Sequence, residues 1–199
     1  MTLPNRSLAF SEYRGNSEGS VPLEQELILR ALQGDGHAFA SLVGPHLPLL
    51  YRIAQRACGS SALAEDAVQE TLALAFKKLG SYEAGTSLKA FLGAIAARQA
   101  LTLLRSERRR RRREEATVGP EPTANPAEQL TAQRLAERVR EALAQMPKKR
   151  QQVALLRLDA NLSYLEIAQA TGTTEGSARV LVHLVLKELK EKLSDVISE

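Results

Sequence analysis

Apolar residues recur at three- and four-residue spacing along most of the chain, and the interruptions of that pattern divide it. From Leu23 to about Arg113 the helical period breaks at Gly34-Asp35-Gly36, at Pro45 and Pro48, at Gly59-Ser60-Ser61, and between Gly80 and Ser87. These breaks predict a four-helix unit. The period resumes at Ala127 and breaks at Pro147, at Asn161-Leu162-Ser163 and at Gly172-Thr173-Thr174, which gives a second, smaller helical unit. Between the two, Glu114 to Pro126 holds Gly119, Pro120, Pro122 and Pro126 among small and acidic residues. Such a segment neither sustains a helix nor buries a core, so a flexible linker is expected there. The polar stretch 1–22 shows no period and is expected to be a flexible tail. The expected fold is all-α, with two small helical domains at 23–113 and 127–199 joined by a linker at 114–126.

Composition supports that class. Hydrophobic residues make up 44% of the 199 positions but aromatics only 4%, with no tryptophan, so the core must be built from Leu, Ala, Ile and Val. Runs of β-branched residues are missing, and no sheet is expected. The formal net charge of +4 is modest, but the positive residues cluster, above all in the unbroken run Arg108 to Arg113. Cys58 is the only cysteine, which excludes an intrachain disulfide and a cysteine metal cage. His37, His46 and His183 stand far apart, and no P-loop, G-x-S-x-G or H-E-x-x-H string occurs. No catalytic residue, cofactor or metal is expected, and the chain reads as a non-enzyme. No apolar run approaches the ~20 residues of a membrane span, and the first residues lack an export leader. A cytoplasmic protein without membrane insertion is expected.

The carboxy-terminal unit carries a specific local pattern. Ser163 and Glu166 form an S-x-x-E capping box, flanked by Leu162 and Ile167 as a hydrophobic staple, so a helix starts at Tyr164. Gly172 can end it in the left-handed conformation, and Thr174 can cap a longer helix running from Glu175 toward Leu193. Short helix, tight turn and longer helix is helix-turn-helix geometry. Small Ala168 suits the close crossing, while Leu155, Leu156 and Leu158 supply apolar surface behind the pair. Taken alone, such a hairpin is as often structural as DNA-binding.

In the amino-terminal unit, Leu63, Ala67, Val68, Leu72, Ala75, Phe76 and Leu79 make one apolar stripe. They leave Glu65, Asp66, Gln69, Glu70, Ala73 and Lys77 outward. Ser87 can cap the next helix, which buries Leu88, Phe91, Leu92, Ile95, Ala96 and Leu103. Arg98, Thr102, Arg105 and Arg109 line one edge of it, as a phosphate-backbone contact would require. The bland account of both faces is ordinary solvated charge.

The stretch MPKKRQQVALLRLDANLSYLEIAQATGTTEGSARVLVHLVLKEL, Met146 to Leu189, resembles region 4 of RNA polymerase sigma factors of the sigma-70 family, extracytoplasmic-function (ECF) group. Ala64-Glu65-Asp66-Ala67-Val68-Gln69-Glu70-Thr71 is similar to the A-E-D-x-x-Q-E-T/V string in region 2 of the same family. The resemblance implies core RNA polymerase and promoter DNA as partners, with an anti-sigma factor as a further candidate. It implies that Asp66, Gln69 and Glu70 hold core polymerase, and that Tyr82, Ser87, Arg98, Thr102, Arg105 and Arg109 engage the minus-10 element. In the loop 81–86, Tyr82 would stack on a base, and Ser81, Glu83 and Ser87 would hydrogen-bond. Thr174, Glu175, Ser177, Arg179, His183 and Lys187 would contact the minus-35 element.

The match weakens in places. Phe76 and Phe91 stand where the family usually has Trp, Gln99 where it has Asn, and Thr102 where it has Asp. Gln99 lies in the apolar stripe and is expected to pack or cap rather than read bases. Leu181 and Leu184 replace common arginines, which weakens phosphate grip. Val180 and Leu184 are expected outside the core stripe Ala178, Val182, Val185, Leu189 and Leu193, as a patch for a regulatory protein or thymine methyls. The competing reading is a stand-alone helix-turn-helix regulator, which leaves Ala64 to Thr71 and the arginine helix unexplained.

Overall fold

The structure, a computed structural model, describes residues 23–83, 86–115 and 129–197. The expected tail, Ala84 and Gly85 of the loop after Gly80, and residues 116–126 of the expected linker lie outside the described residues. Among the described residues the chain is helical, with no strand. The first unit comprises α1 (Leu23–Leu32), α2 (Gly36–Val43), α3 (Leu47–Cys58), α4 (Ser61–Lys78) and α5 (Leu88–Glu115). The expected four helices are therefore five, because each predicted break ends a helix. Asp35 separates α1 from α2 by accepting the backbone N–H groups of His37 and Ala38, and Arg30 holds it in place at 2.7 Å. Pro45 and Pro48 force only a single 3-10 turn before α3.

The second unit comprises α6 (Gln129–Gln145), α7 (Lys148–Leu158), α8 (Tyr164–Thr171) and α9 (Glu175–Ile197). The caps fall where the side chains dictate. The Ser163 hydroxyl accepts the Glu166 N–H at 3.2 Å, and the Glu166 carboxylate accepts the Ser163 N–H at 2.8 Å. The staple pair Leu162 and Ile167 is fully buried. Gly172 adopts φ 63, and Thr174 accepts the Ser177 N–H at 3.2 Å to open α9. Gln151 ties the α6–α7 corner by donating to the carbonyls of Ala144 and Met146.

The two units are docked, and their buried residues form one continuous core. Leu155 and Leu156 do more than back the helical pair: α7 lies against α3 and α5, and both leucines are sealed in. Leu158 instead remains 43% exposed. At Gly93, in the second turn of α5, a Cβ would stand 3.3 Å from the Leu156 methyl. Polar links ring this contact. Arg56 on α3 pairs with Asp159 after α7 at 3.0 Å, and Arg52 donates to the Asp159 carbonyl at 3.4 Å. Ser87, at the start of α5, donates to Glu166 on α8 at 2.7 Å. The Arg140 guanidinium of α6 lies over Gly59, the left-handed residue that ends α3.

Candidate nucleic-acid and polymerase interface

Helix α4 buries small residues. Ala64, Ala67, Thr71 and Ala75 face the core, and the Thr71 hydroxyl satisfies itself on the Ala67 carbonyl at 2.6 Å. This close seat turns Asp66, Gln69 and Glu70 outward together, all exposed. Phe76, expected in the core, is 41% exposed and meets Phe39 edge to face at 5.1 Å. Gln99 is half-buried, and its amide donates to Glu70 at 3.1 Å. It neither packs in the core nor caps a helix, but ties the outward face of α4 to α5.

The described residues on either side of the start of α5 are tied to one another. Ser87 caps α5 by accepting the Ala90 N–H at 3.2 Å. The Tyr82 ring meets Phe91 at 5.4 Å, and its single hydroxyl proton is shared between the Thr86 carbonyl at 2.7 Å and the Glu24 carboxylate at 3.2 Å. Burial, together with the Glu24 charge, raises the Tyr82 pKa, so the phenol stays protonated as a donor. Ser81 and Thr86 spend their hydroxyls on the Lys78 and Glu83 carbonyls. A cavity of about 440 Å³ opens here, lined by Lys78, Tyr82, Thr86, Phe91 and Arg98, with Gln169 and Ala170 of α8 as its far wall.

The arginine edge of α5 is divided between two surroundings. Arg98 borders the loop cavity, and Thr102 and Arg109 are exposed. Arg105 instead borders a second cleft of about 180 Å³ between the units, together with Arg56, Arg108 and Arg140 over Leu101 and Leu143. Among the described residues no carboxylate pairs with Arg98, Arg105, Arg108 or Arg109. Guanidinium groups without counter-charge have the chemistry to take phosphate oxygens.

On the second unit, Glu175, Arg179, His183 and Lys187 follow one another at helical spacing, all exposed. Thr174 and Ser177 stand at the head of that face, joined hydroxyl to hydroxyl at 2.9 Å. Arg179 pairs with Glu175 at 3.2 Å and lies over the Tyr164 ring at 5.2 Å, while Arg157 covers the same ring at 5.4 Å. Val180 is 59% exposed, as its position outside the core stripe requires. Leu184 is half-buried, and Leu181 packs on the core. Val180 is therefore the exposed apolar residue of this pair of positions, and Leu165 and Leu186 are exposed elsewhere on α8 and α9.

Sequence reasoning missed the residues of the seam: Gly59, Gly93, Arg140, Asp159 and the second role of Leu156. A glycine inside a long helical stretch was the available signal, because nothing local needs it there. Among the described residues no group of His, Cys, Asp and Glu is placed to hold a metal ion, and no helix is long and apolar enough to cross a membrane.

Comparison with known proteins converges on one family. Residues 42–110 match sigma-70 region 2 and residues 136–189 match sigma-70 region 4. The chain is 31% identical over 171 residues to the RNA polymerase sigma factor CarQ of Myxococcus xanthus, covering 84% of this chain and 95% of that protein. It is 29% identical over 180 residues to the ECF RNA polymerase sigma factor SigD of Mycobacterium bovis, covering 84% and 82%. Among solved structures, RpoE of Bartonella quintana, in complex with the anti-sigma factor NepR, superposes with a TM-score of 0.56 at 27% identity, covering 78% of this chain and 96% of that one. CnrH, in complex with the cytosolic domain of CnrY, shares the fold with a TM-score of 0.63 at 20% identity, covering 87% and 98%. With both family regions present in order and relatives matched over most of their length, the chain belongs to the sigma-70 family, in its ECF RNA polymerase sigma factor group.

Proposed function

We propose that the chain divides its work as 23–113 for core polymerase and the minus-10 element and 127–199 for the minus-35 element, with 114–126 as linker. Asp66, Gln69 and Glu70 hold core polymerase. Tyr82, Ser87, Arg98, Thr102, Arg105 and Arg109 engage minus-10 DNA, with the loop cavity receiving an unstacked base. Thr174, Glu175, Ser177, Arg179, His183 and Lys187 contact minus-35 DNA, where α9 enters the major groove. The protein acts in the cytoplasm as a binding subunit and catalyses no reaction of its own. The apolar surface at Val180 receives an anti-sigma factor, a reading supported by the complex of RpoE of Bartonella quintana with the anti-sigma factor NepR.

The observation that carries this reading is the joint exposure, in one chain, of the α4 row Asp66-Gln69-Glu70 and the α9 row Arg179-His183-Lys187. Neither row lies in the core. The test is run-off transcription with bacterial core polymerase and a library of promoter fragments. Initiation at a defined subset, weakened by Asp66→Ala and Glu70→Ala, is the expected result. Duplex DNA binding without any binding to core would replace it with a stand-alone helix-turn-helix regulator.

A further inference from the structure

The cleft of about 180 Å³ between α3, α5, α6 and α7 is built from both units. Its apolar wall is Ala57, Leu101 and Leu104 from the first unit and Leu143, Ala144 and Leu155 from the second. Its cationic edge is shared in the same way, with Arg56, Arg105 and Arg108 from one unit and Arg140 from the other. Arg56 spends its charge on Asp159. Among the described residues no carboxylate pairs with Arg105, Arg108 or Arg140, and Arg105 and Arg140 are half-buried. Like charges gathered at a partly buried edge repel one another with less screening than water would supply. An anion seated among them removes that cost.

The placement of Arg140 is encoded in the chain. Gly59 ends α3 at φ 73, and its missing Cβ leaves room for the guanidinium, whose Nε lies 2.6 Å from where that Cβ would stand. The carbonyl end of α3 offers only a partial negative charge. Arg140 is held at the cleft without being neutralised.

A separate feature lies on the cleft wall. Gln151 is only 8% exposed and lines the same space. Its amide donates to the Ala144 and Met146 carbonyls. Its carbonyl oxygen accepts no hydrogen bond from the described residues, yet it is not among the sealed polar atoms. It is left as an acceptor open to the cleft. The combination is selective: guanidinium groups take carboxylate or phosphate oxygens in pairs, the Leu and Ala wall takes an apolar body, and Gln151 takes one O–H or N–H. A cavity of about 150 Å³ holds a benzene ring, so the body that fits is of single-ring size.

We infer that this cleft binds a small aromatic acid, one ring bearing a carboxylate or phosphate, with its anion on Arg105, Arg108 and Arg140. Each unit supplies part of the wall and part of the edge, so the acid binds the assembled chain and stabilises it. A nucleic-acid backbone would use the arginines but leave the leucine wall and Gln151 idle. Arg105 is shared with the proposed minus-10 edge of α5, but the site stands without that assignment.

The test is isothermal titration calorimetry of the full chain with benzoate and with phenyl phosphate, against benzyl alcohol and inorganic phosphate at matched pH and ionic strength. At least one ring acid should bind at one site per chain and raise the thermal midpoint. Benzyl alcohol, which lacks the charge, and inorganic phosphate, which lacks the ring, should each bind at least about tenfold more weakly. Arg140→Gln should weaken the acid about tenfold, and so should Arg108→Gln, which changes an exposed side chain and leaves the packing alone. Ala144→Phe should fill the cleft and abolish binding with every arginine in place.

If inorganic phosphate binds as tightly as phenyl phosphate, the arginines form a plain phosphate surface and the aromatic-acid site is overturned. It is equally overturned if neither ring acid binds, or if Ala144→Phe, folded by circular dichroism, binds as the unaltered chain does.

Discussion

At Gly59 the backbone sits at φ 73, and the space where a Cβ would stand is filled by Arg140, with Nε 2.6 Å away. Gly59→Ala should therefore cost about 1–2 kcal/mol for the left-handed backbone alone, plus the displacement of Arg140 from the end of α3. Urea unfolding checks the sum, and an Arg140→Ala background should return only the backbone part. His46 makes a separate prediction. Desolvation lowers its pKa from the ordinary 6.5, with Lys89 adding to that and Glu24 opposing. The folded state thus prefers the neutral ring, so stability is full above pH 6.5 and declines as pH falls below it. His46→Gln should flatten that stretch of a urea-midpoint-against-pH curve. An unchanged slope would remove His46 as the cause.

Helix ends were the most legible elements because their signals are local. Ser163, Glu166, Gly172 and Thr174 place α8 and the start of α9, and the structure follows them residue for residue. The same local logic gives Ser87 at the head of α5. Ser163→Ala should destabilise the chain by about 1 kcal/mol, visible as a shift of its single thermal midpoint. What local signals do not carry is which helix faces which. Arg98 and Arg105 share an edge on paper, yet one borders the loop cavity and the other the cleft beneath Arg140, because region 4 arrives between them. Phe76 was read as core, but the small residues of α4 bring the backbone so near that the ring lies at the rim. Glu166 combines both lessons. Burial would raise its pKa, but the Ser163 N–H, the Ser87 and Ser163 hydroxyls and Lys89 together lower it. Only the contacts with Ser163 were visible in the sequence. On α5, Arg109→Ala should reduce the slope of log affinity against log salt by about one for DNA. A slope unchanged in a DNA-binding chain would take Arg109 off the phosphate path.

Across the whole molecule, the continuous core predicts that regions 2 and 4 melt together. Calorimetry of the intact chain should show one transition, and Gly93→Leu should split it in two by unseating Leu156. A pair of transitions in the unaltered chain would mean that the seam adds little to either half.

The same seam has a consequence for how the two units stay together. Joined in one chain, they meet at a fixed local concentration, on the order of millimolar for a short tether, so dilution of the protein does not part them.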